Sequence, residues 1–258
     1  MSRAGSASCE HRSIARSVEG GSRGGGYFQR SELPLTSLAF ILPLLVLYEV
    51  GTRLLATNPA HQPEQRIIAF NLMQQFFALW GATGKYLPAL AVVGILLSWH
   101  IARGDGWQID PRHLIGMLVE SVIVAVPLIG LGFVAARYLP LAGWDRATAN
   151  MLVLSIGAGI YEELVFRLIA FTVLSFLLVD LLGINRRWSF MLIVVLSSLA
   201  FALYHYLGHE AFQWRSFAFR TAAGVYFGAV FSLRGFGITA GSHAAYDVLV
   251  VGLRSFAW

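Results

Sequence analysis

Long apolar segments alternate with short polar ones along most of the chain. A helix needs about 20 apolar residues to cross the ~30 Å hydrocarbon core of a bilayer. Apolar segments of about that length lie at Leu33–Leu55, Tyr86–Ile101, Leu114–Tyr138, Met151–Leu182, Ser189–Leu207, Phe217–Leu233 and Ile238–Phe256. The pattern predicts an all-α fold, a polytopic transmembrane helix bundle with about seven to eight spans.

The segment Met151–Leu182 is too long for one perpendicular span. As a helix its 32 residues would extend ~48 Å at ~1.5 Å per residue. We expect the segment to be broken, tilted or divided into two helices, with a break near Arg167. A single crossing would place Arg186 and Arg187 on the same side of the membrane as the N-terminal tail.

Two stretches depart from the spanning pattern. Residues 1–30 are rich in Gly, Ser and Arg, which predicts a disordered basic tail and a cytoplasmic N-terminus. Residues near 63–80 are amphipathic and predict a helix at the membrane surface. The predicted division is therefore a tail at 1–30, transmembrane helices with this interfacial helix at 31–140, and a second helix bundle at 149–256.

The composition indicates an integral membrane protein. Hydrophobic residues make up 57% of the chain and charged residues 13%, whereas soluble domains average about 25% charged residues. The net charge of +5 comes from short basic runs between apolar segments, so the expected partner is the lipid bilayer and not nucleic acid. We expect a multi-pass protein, in the cell membrane if the source is bacterial. The single cysteine, Cys9, excludes an intrachain disulfide.

Ionisable residues inside apolar segments are the informative ones, because each costs roughly 2.5–3.5 kcal/mol at a bilayer centre. The candidates are Glu49, Glu120, Glu162, Glu163, Arg167, Asp180, His205, Arg220, His243 and Asp247. We expect Glu49, Glu120 and Arg220 to pair with one another or with the backbone. Arg234 lies near a helix end, where its side chain can extend to the membrane surface.

The stretch GIYEELVFR, residues 159–167, contains two acids and a base. Glu163 and Arg167 are four residues apart and share a helix face, so they are predicted to pair. Adjacent residues differ by ~100° around a helix, so Glu162 faces elsewhere. A buried carboxylate without a neighbouring cation suits a general base. The alternative is an ion-pair network that only fixes helix packing.

Two histidine motifs lie on other helices. His205 ends the sequence FALYH, and His243 precedes Asp247 by four residues in HAAYD. A carboxylate on the same face can orient an imidazole. Taken alone, His205 fits a structural role better than a catalytic one, and the pair of His243 and Asp247 fits both equally well. If the three helices pack, Glu162 can activate water while the imidazoles orient it, bind a metal or stabilise an oxyanion. That equipment suits hydrolysis of an amide.

With these motifs the sequence resembles the CPBP intramembrane proteases, which include type II CAAX prenyl proteases and bacteriocin-processing or immunity (Abi) proteins. The family pattern is Glu-Glu, three residues and Arg, then Phe-x-x-x-His, then His-x-x-x-Asn or Asp. The chain has these motifs in order, as EELVFR (162–167), FALYH (201–205) and HAAYD (243–247). The resemblance covers residues 149–251 and implies an intramembrane endopeptidase with a catalytic bundle at 149–256.

The resemblance also implies roles for the motif residues. Glu162 and His205 would activate the attacking water. His243 and Asp247 would stabilise the oxyanion or help hold a metal, with Glu163 and Arg167 in support. The cofactor stays open: a divalent metal such as zinc on Glu162, His205 and His243, which would make the protein a metalloprotease, or none. The expected substrate is a membrane-embedded or lipid-anchored protein or peptide.

The sequence departs from the family pattern at two positions. Leu168 stands where bacterial members often have Gly, which alters how the long segment bends. Asp247 stands where Asn is more common. An ionised Asp cannot donate a hydrogen bond to an oxyanion, so Asp247 would have to be protonated, orient His243 or bind a metal.

Other classes fit less well. The chain lacks the His-Glu-x-x-His of site-2-type metalloproteases and the Gly-x-Ser-Gly of rhomboid-type proteases. Asp180 and Asp247 could pair as in presenilin-type aspartyl proteases, but the accompanying Gly-x-Gly-Asp is missing. Alternatives outside the enzymes are a non-catalytic membrane scaffold or immunity protein of the same fold, or a proton-coupled transporter. A transporter would show inverted repeats, which the sequence lacks.

Overall fold

The computed structural model describes residues 26–55, 66–135, 145–208 and 210–256. Within these ranges every regular element is a helix, which confirms the all-α class. The helices are α1 (Tyr27–Ser31), α2 (Pro34–Leu55), α3 (Ile68–Leu79), α4 (Leu87–Arg103), α5 (Pro111–Ala135), α6 (Arg146–Leu181), α7 (Arg186–Tyr204), α8 (214–234) and α9 (236–256). The predicted tail at 1–25 and the predicted helical residues 63–65 and 136–138 lie outside the described residues.

Helices α8 and α9 form a hairpin that turns at Gly235. This residue has φ 72° and ψ −175°, a conformation that glycine adopts without the steric cost of a Cβ. Side chains of the two helices meet across the hairpin. The ring of Phe227 on α8 stacks on His243 of α9 at 4.6 Å between centroids, and the ring centroids of Phe219 and Tyr246 are 6.2 Å apart. The two helices therefore run back beside each other, as the two last predicted spans require.

Contacts between helix termini define one end of the bundle, called the upper end here. Arg53 near the end of α2 contacts the hydroxyl of Tyr86 at 3.5 Å, just before α4. Arg146 at the start of α6 reaches the carbonyl of Leu55 at 3.3 Å. Because Leu55 and Tyr86 both lie at the upper end, α3 between them does not cross the bundle. The opposite end is called the lower end.

Seven helices cross the bundle in the described part of the chain: α2, α4, α5, α6, α7, α8 and α9. Five apolar segments have the length of a span, and the α8–α9 hairpin is one of them. The 17-residue α4 is shorter but also connects the two ends. The number agrees with the predicted seven to eight spans.

Helix α6 runs through the long apolar segment without a break. It begins after Asp145, whose carboxylate accepts the Thr148 N–H at 2.8 Å as a helix cap. This bond holds the pKa of the Asp145 carboxyl below its usual range. Where we predicted a break, Leu164–Ile169 form a π-helical turn that contains Arg167. The segment therefore crosses once, as one helix and not as two.

Arg234 connects the lower end of the bundle to α1. Its guanidinium donates to Glu120 at 2.5 Å, to Glu32 at 2.9 Å and to the Ser31 hydroxyl at 2.8 Å. Tyr27 in α1 also donates to Glu120. Arg234 lies at a helix end as predicted, and its guanidinium is paired there. One prediction was wrong, because residues 27–30, assigned to a disordered tail, belong to a helix.

We predicted that Glu49, Glu120 and Arg220 pair with one another or with the backbone. Each of them instead pairs with another side chain. Glu49 pairs with Arg66 at 2.9 Å, and Arg220 pairs with Glu210 at 2.7 Å. Each partner lies in a polar segment or near a helix terminus that an apolar pattern does not reveal.

Candidate active site

The predicted site residues come together between α6, α7 and α9. Glu162 and Glu163 end the α-helical part of α6, and Arg167 lies in the following π turn. His205 begins the short 3₁₀ segment His205–Leu207 after α7. Glu162 lies about midway along α6, His205 directly follows the upper end of α7, and Asp247 on α9 is at the most exposed side of the site.

A close approach of α6 and α9 brings the glutamates to His243. A Cβ added to Gly159 would lie 2.5 Å from the Ala244 nitrogen and 2.6 Å from the Ala240 carbonyl oxygen. Only a residue without a side chain allows these two backbones to pack so closely. Gly159 is one helical turn before Glu162 and Glu163, so this contact sets their distance from α9.

We expect Gly159→Ala to destabilise the protein by about 1–3 kcal/mol, because the clash is with backbone that cannot rotate away. Gly94 on α4 has no heavy atom within 4 Å of an added Cβ. Gly94→Ala should therefore stabilise by about 0.5–1 kcal/mol through helix propensity. The free energy of unfolding in mixed micelles of detergent and SDS measures both changes. Equal effects of the two substitutions would contradict the packing at Gly159.

Glu163 and Arg167 form the predicted pair, and both side chains are fully buried. Arg167 Nε lies 3.1 Å from Glu163 Oε2. The guanidinium also donates to the Gly224 carbonyl at 3.1 Å and lies 4.7 Å above the Phe201 ring. Arg167 thus links α6 to α7 and α8, which explains why a cation is retained at this depth.

His243 takes its orientation from Glu163. Its Nδ1 is 2.7 Å from Glu163 Oε1. A carboxylate accepts hydrogen bonds, so Nδ1 carries the proton and Nε2 faces the site. Asp247 Oδ2 lies 3.6 Å from Nε2, on the opposite side of the ring from Glu163. Glu163 from another helix therefore occupies Nδ1, and the orienting role suggested for Asp247 would have to act at Nε2.

His205 presents the same nitrogen to the site. Its Nδ1 is 2.7 Å from the Phe201 carbonyl oxygen. A carbonyl can only accept, so Nδ1 again carries the proton and Nε2 is the free acceptor of the neutral ring. Phe201 thus contributes to the motif twice, through its carbonyl to His205 and through its ring to Arg167.

Glu162 lies between the two imidazoles. Its Oε1 accepts a hydrogen bond from the Tyr204 hydroxyl at 3.1 Å. Its Oε2 is buried without a hydrogen-bond partner among the described residues. This oxygen is 3.8 Å from His205 Nε2 and 3.9 Å from His243 Nε2. Three atoms able to accept hydrogen bonds therefore surround one small space.

The residues that sequence reasoning missed are those that hold the site together. Tyr204 occupies an unspecified position of the FALYH motif, and Gly159 precedes the glutamates without a motif of its own. The ring of Phe227, which stacks on His243, is one of many aromatic residues in the apolar segments. In the sequence, only the occurrence of Gly157 and Gly159 two residues apart hinted at a close helix contact.

Asp180 does not join the site. It lies 18 residues after Glu162 on the same helix, which corresponds to ~27 Å. Asp180 lines a separate groove of about 380 Å³ at the lower end, with Arg186, Ser175 and Ser189. An aspartyl dyad of Asp180 and Asp247 is therefore not formed.

A zinc ion would have to be held by the three candidate ligands of the site. Glu162, His205 and His243 offer suitable donor atoms. Among the described residues, however, no three His, Cys, Asp or Glu side chains are placed to hold a metal ion. Donors of a tetrahedral site lie about 3.3 Å apart, closer than the 3.8 Å and 3.9 Å found here. As placed, the residues do not fit the metal.

Comparison with known proteins finds a match between part of the chain and one family model. The family model described as type II CAAX prenyl endopeptidase Rce1-like matches residues 144–249. This range holds all six predicted site residues and confirms the resemblance seen in the sequence. No curated protein and no solved structure matches the chain.

Proposed function

We propose that this membrane protein, whose residues 144–249 match the model of the type II CAAX prenyl endopeptidase Rce1-like family, is an intramembrane endopeptidase in which Glu162 activates water. The observation that carries the proposal is the position of Glu162 Oε2, unpartnered and within 3.9 Å of the Nε2 atoms of both imidazoles. The substrate would be a membrane-embedded or lipid-anchored protein or peptide.

Water activation follows from the matching of donors and acceptors. Glu162 Oε2 and neutral His205 Nε2 both accept hydrogen bonds, so they cannot bond to each other. A water molecule has two hydrogens and can donate one to each. A lone pair of the water oxygen then faces the substrate carbonyl. As the water oxygen attacks the carbonyl carbon, Glu162 takes the proton and later gives it to the leaving amine.

His243 is the proposed oxyanion donor. In its imidazolium form it keeps Nδ1–H on Glu163 and gains an Nε2–H that can donate to the developing oxyanion. The carboxylates of Glu163 and Asp247 lie on opposite sides of the ring and balance its charge. Ionised Asp247 can only accept, so it does not itself contact the oxyanion.

The assay uses the purified full-length protein in liposomes with a library of membrane peptides. We expect cleavage both with and without a strong chelator, because the water-activating groups act here without a metal. The absence of cleavage under every condition would contradict the proposed function. Cleavage that a chelator abolishes, and that added zinc restores, would instead show that the site closes around a metal.

The predicted cytoplasmic N-terminus has a consequence for the substrate. Helix α1 lies at the lower end, whereas His205 of the site directly follows the upper end of α7, so the site would open away from the cytoplasm. Cys9 is the chain's only cysteine. We expect an impermeant maleimide to label it in inside-out vesicles but not in intact cells. The opposite labelling would place the site on the cytoplasmic side, where prenylated proteins are found.

A further inference from the structure

Only one oxygen of the Glu162 carboxylate is held by a hydrogen bond. Oε1 accepts the Tyr204 hydroxyl at 3.1 Å, while Oε2 has no such partner in the described part of the chain. Because the two oxygens are rigidly joined, fixing Oε1 also fixes the direction in which Oε2 points. That direction is toward the Nε2 atoms of the two imidazoles.

The Tyr204 hydroxyl makes a second hydrogen bond, to α3. It accepts the backbone N–H of Ala69 at 2.8 Å. Ala69 is the second residue of α3, so its N–H has no partner within the helix, and Ile67 before the helix provides no side-chain cap. A hydroxyl has one hydrogen and two lone pairs. Since Ala69 already donates, the hydroxyl hydrogen must point to Glu162.

The first turn of α3 is packed firmly enough to hold Tyr204 in place. Ala69 and Phe70 are buried, and the Phe70 ring packs edge-on against Tyr161 at 5.3 Å between centroids. Ile68 lies against Gly208, just after the 3₁₀ segment that carries His205. The far end of α3 is different, since Leu79 and Trp80 are exposed.

We infer that Tyr204 is a positioning residue for Glu162, held in place by the N-terminus of α3. This role rests on the proposed function, because it matters for catalysis only if Glu162 activates water. The inference also assigns a role to α3. The helix carries no motif residue and lies outside the matched range 144–249, yet through Tyr204 it completes the environment of the Glu162 carboxylate.

The test compares Tyr204→Phe with Tyr226→Phe in the full-length protein in liposomes. Tyr226 provides a matched control, since its hydroxyl donates to the Val124 carbonyl at 2.6 Å, away from the site. We expect Tyr204→Phe to lower kcat about tenfold, as for loss of one hydrogen bond to a charged group, with KM unchanged. Tyr226→Phe should leave kcat and KM within about twofold of the wild type.

Amide hydrogen exchange tests the same contact without any need for activity. In Tyr204→Phe the Ala69 N–H loses its acceptor, so a peptide covering the first turn of α3 should exchange faster. The same peptide should be unchanged in Tyr226→Phe. Unchanged exchange in Tyr204→Phe would show that Tyr204 does not cap α3, and would overturn the inference.

The kinetic results separate this inference from the proposed function. If the wild type cleaves and Tyr204→Phe keeps its kcat, the positioning role is wrong and the proposed function stands. A rise in KM at constant kcat would likewise overturn it, because it would indicate a contact with substrate. If the wild type cleaves nothing, the proposed function fails and so does the catalytic role of Tyr204, although faster exchange would still support the α3 contact.

Discussion

Replacing Glu162 with Gln should lower kcat/KM for a membrane peptide by about 10³-fold, within the range for loss of a general base. The amide keeps the shape of the side chain and can still accept from Tyr204, but it cannot take a proton from water. The side chain is buried and close to two imidazoles, so the reaction has no other carboxylate in the same position. Cleavage rates in liposomes measure the effect.

Glu120→Gln is the matched control for this substitution. Glu120 is also a carboxylate within a predicted span, but it pairs with Arg234 at the lower end of the bundle. The Glu120→Gln variant should be less stable than the wild type, but its cleavage rate should stay within about threefold of the wild-type rate. If Glu162→Gln cleaves like the wild type while folded, the site works differently, and a non-catalytic scaffold becomes the better interpretation.

Replacing Arg167 with Met should destabilise the protein by about 3–5 kcal/mol, because it leaves the buried charge of Glu163 without its cation. Both side chains have 0% exposure, so water cannot compensate. The Gly224 carbonyl also loses a donor. Unfolding in mixed micelles of detergent and SDS gives the free energy.

The double variant Glu163→Gln with Arg167→Met separates charge from shape. It removes both charges at similar volume, so it should be at least about 2 kcal/mol more stable than Arg167→Met alone. Arg220→Met, which breaks the exposed pair with Glu210, should cost no more than about 1 kcal/mol. A double variant as unstable as the single one would show that Arg167 acts through packing and not through its charge.

The predictions that held were those set by geometry within one helix. The four-residue spacing of Glu163 and Arg167 places them on one face wherever the helix lies, and the structure pairs them. The same reasoning left Glu162 unpaired by any cation on its own helix. Apolar length likewise predicted the spans, because the thickness of the bilayer does not depend on the fold.

What the sequence did not predict depended on which helix lies beside which. Asp247 shares a helix face with His243, yet the carboxylate at Nδ1 is Glu163, 80 residues earlier in the chain. The expected break near Arg167 is a π turn within one continuous helix. Ser197 on α7 donates to the Phe166 carbonyl in this turn, a stabilising contact that the sequence of α6 alone does not contain.

The amino-acid sequence was therefore enough to predict the all-α class, seven to eight spans and the six motif residues, because bilayer thickness and the helical repeat act locally along the chain. How these residues are arranged depends on the tertiary structure. Contact between α6 and α9 at Gly159 brings Glu163 to His243, and α3 holds Glu162 through Tyr204. Such contacts depend on the close packing of distant segments, which leaves no periodic signal in the sequence.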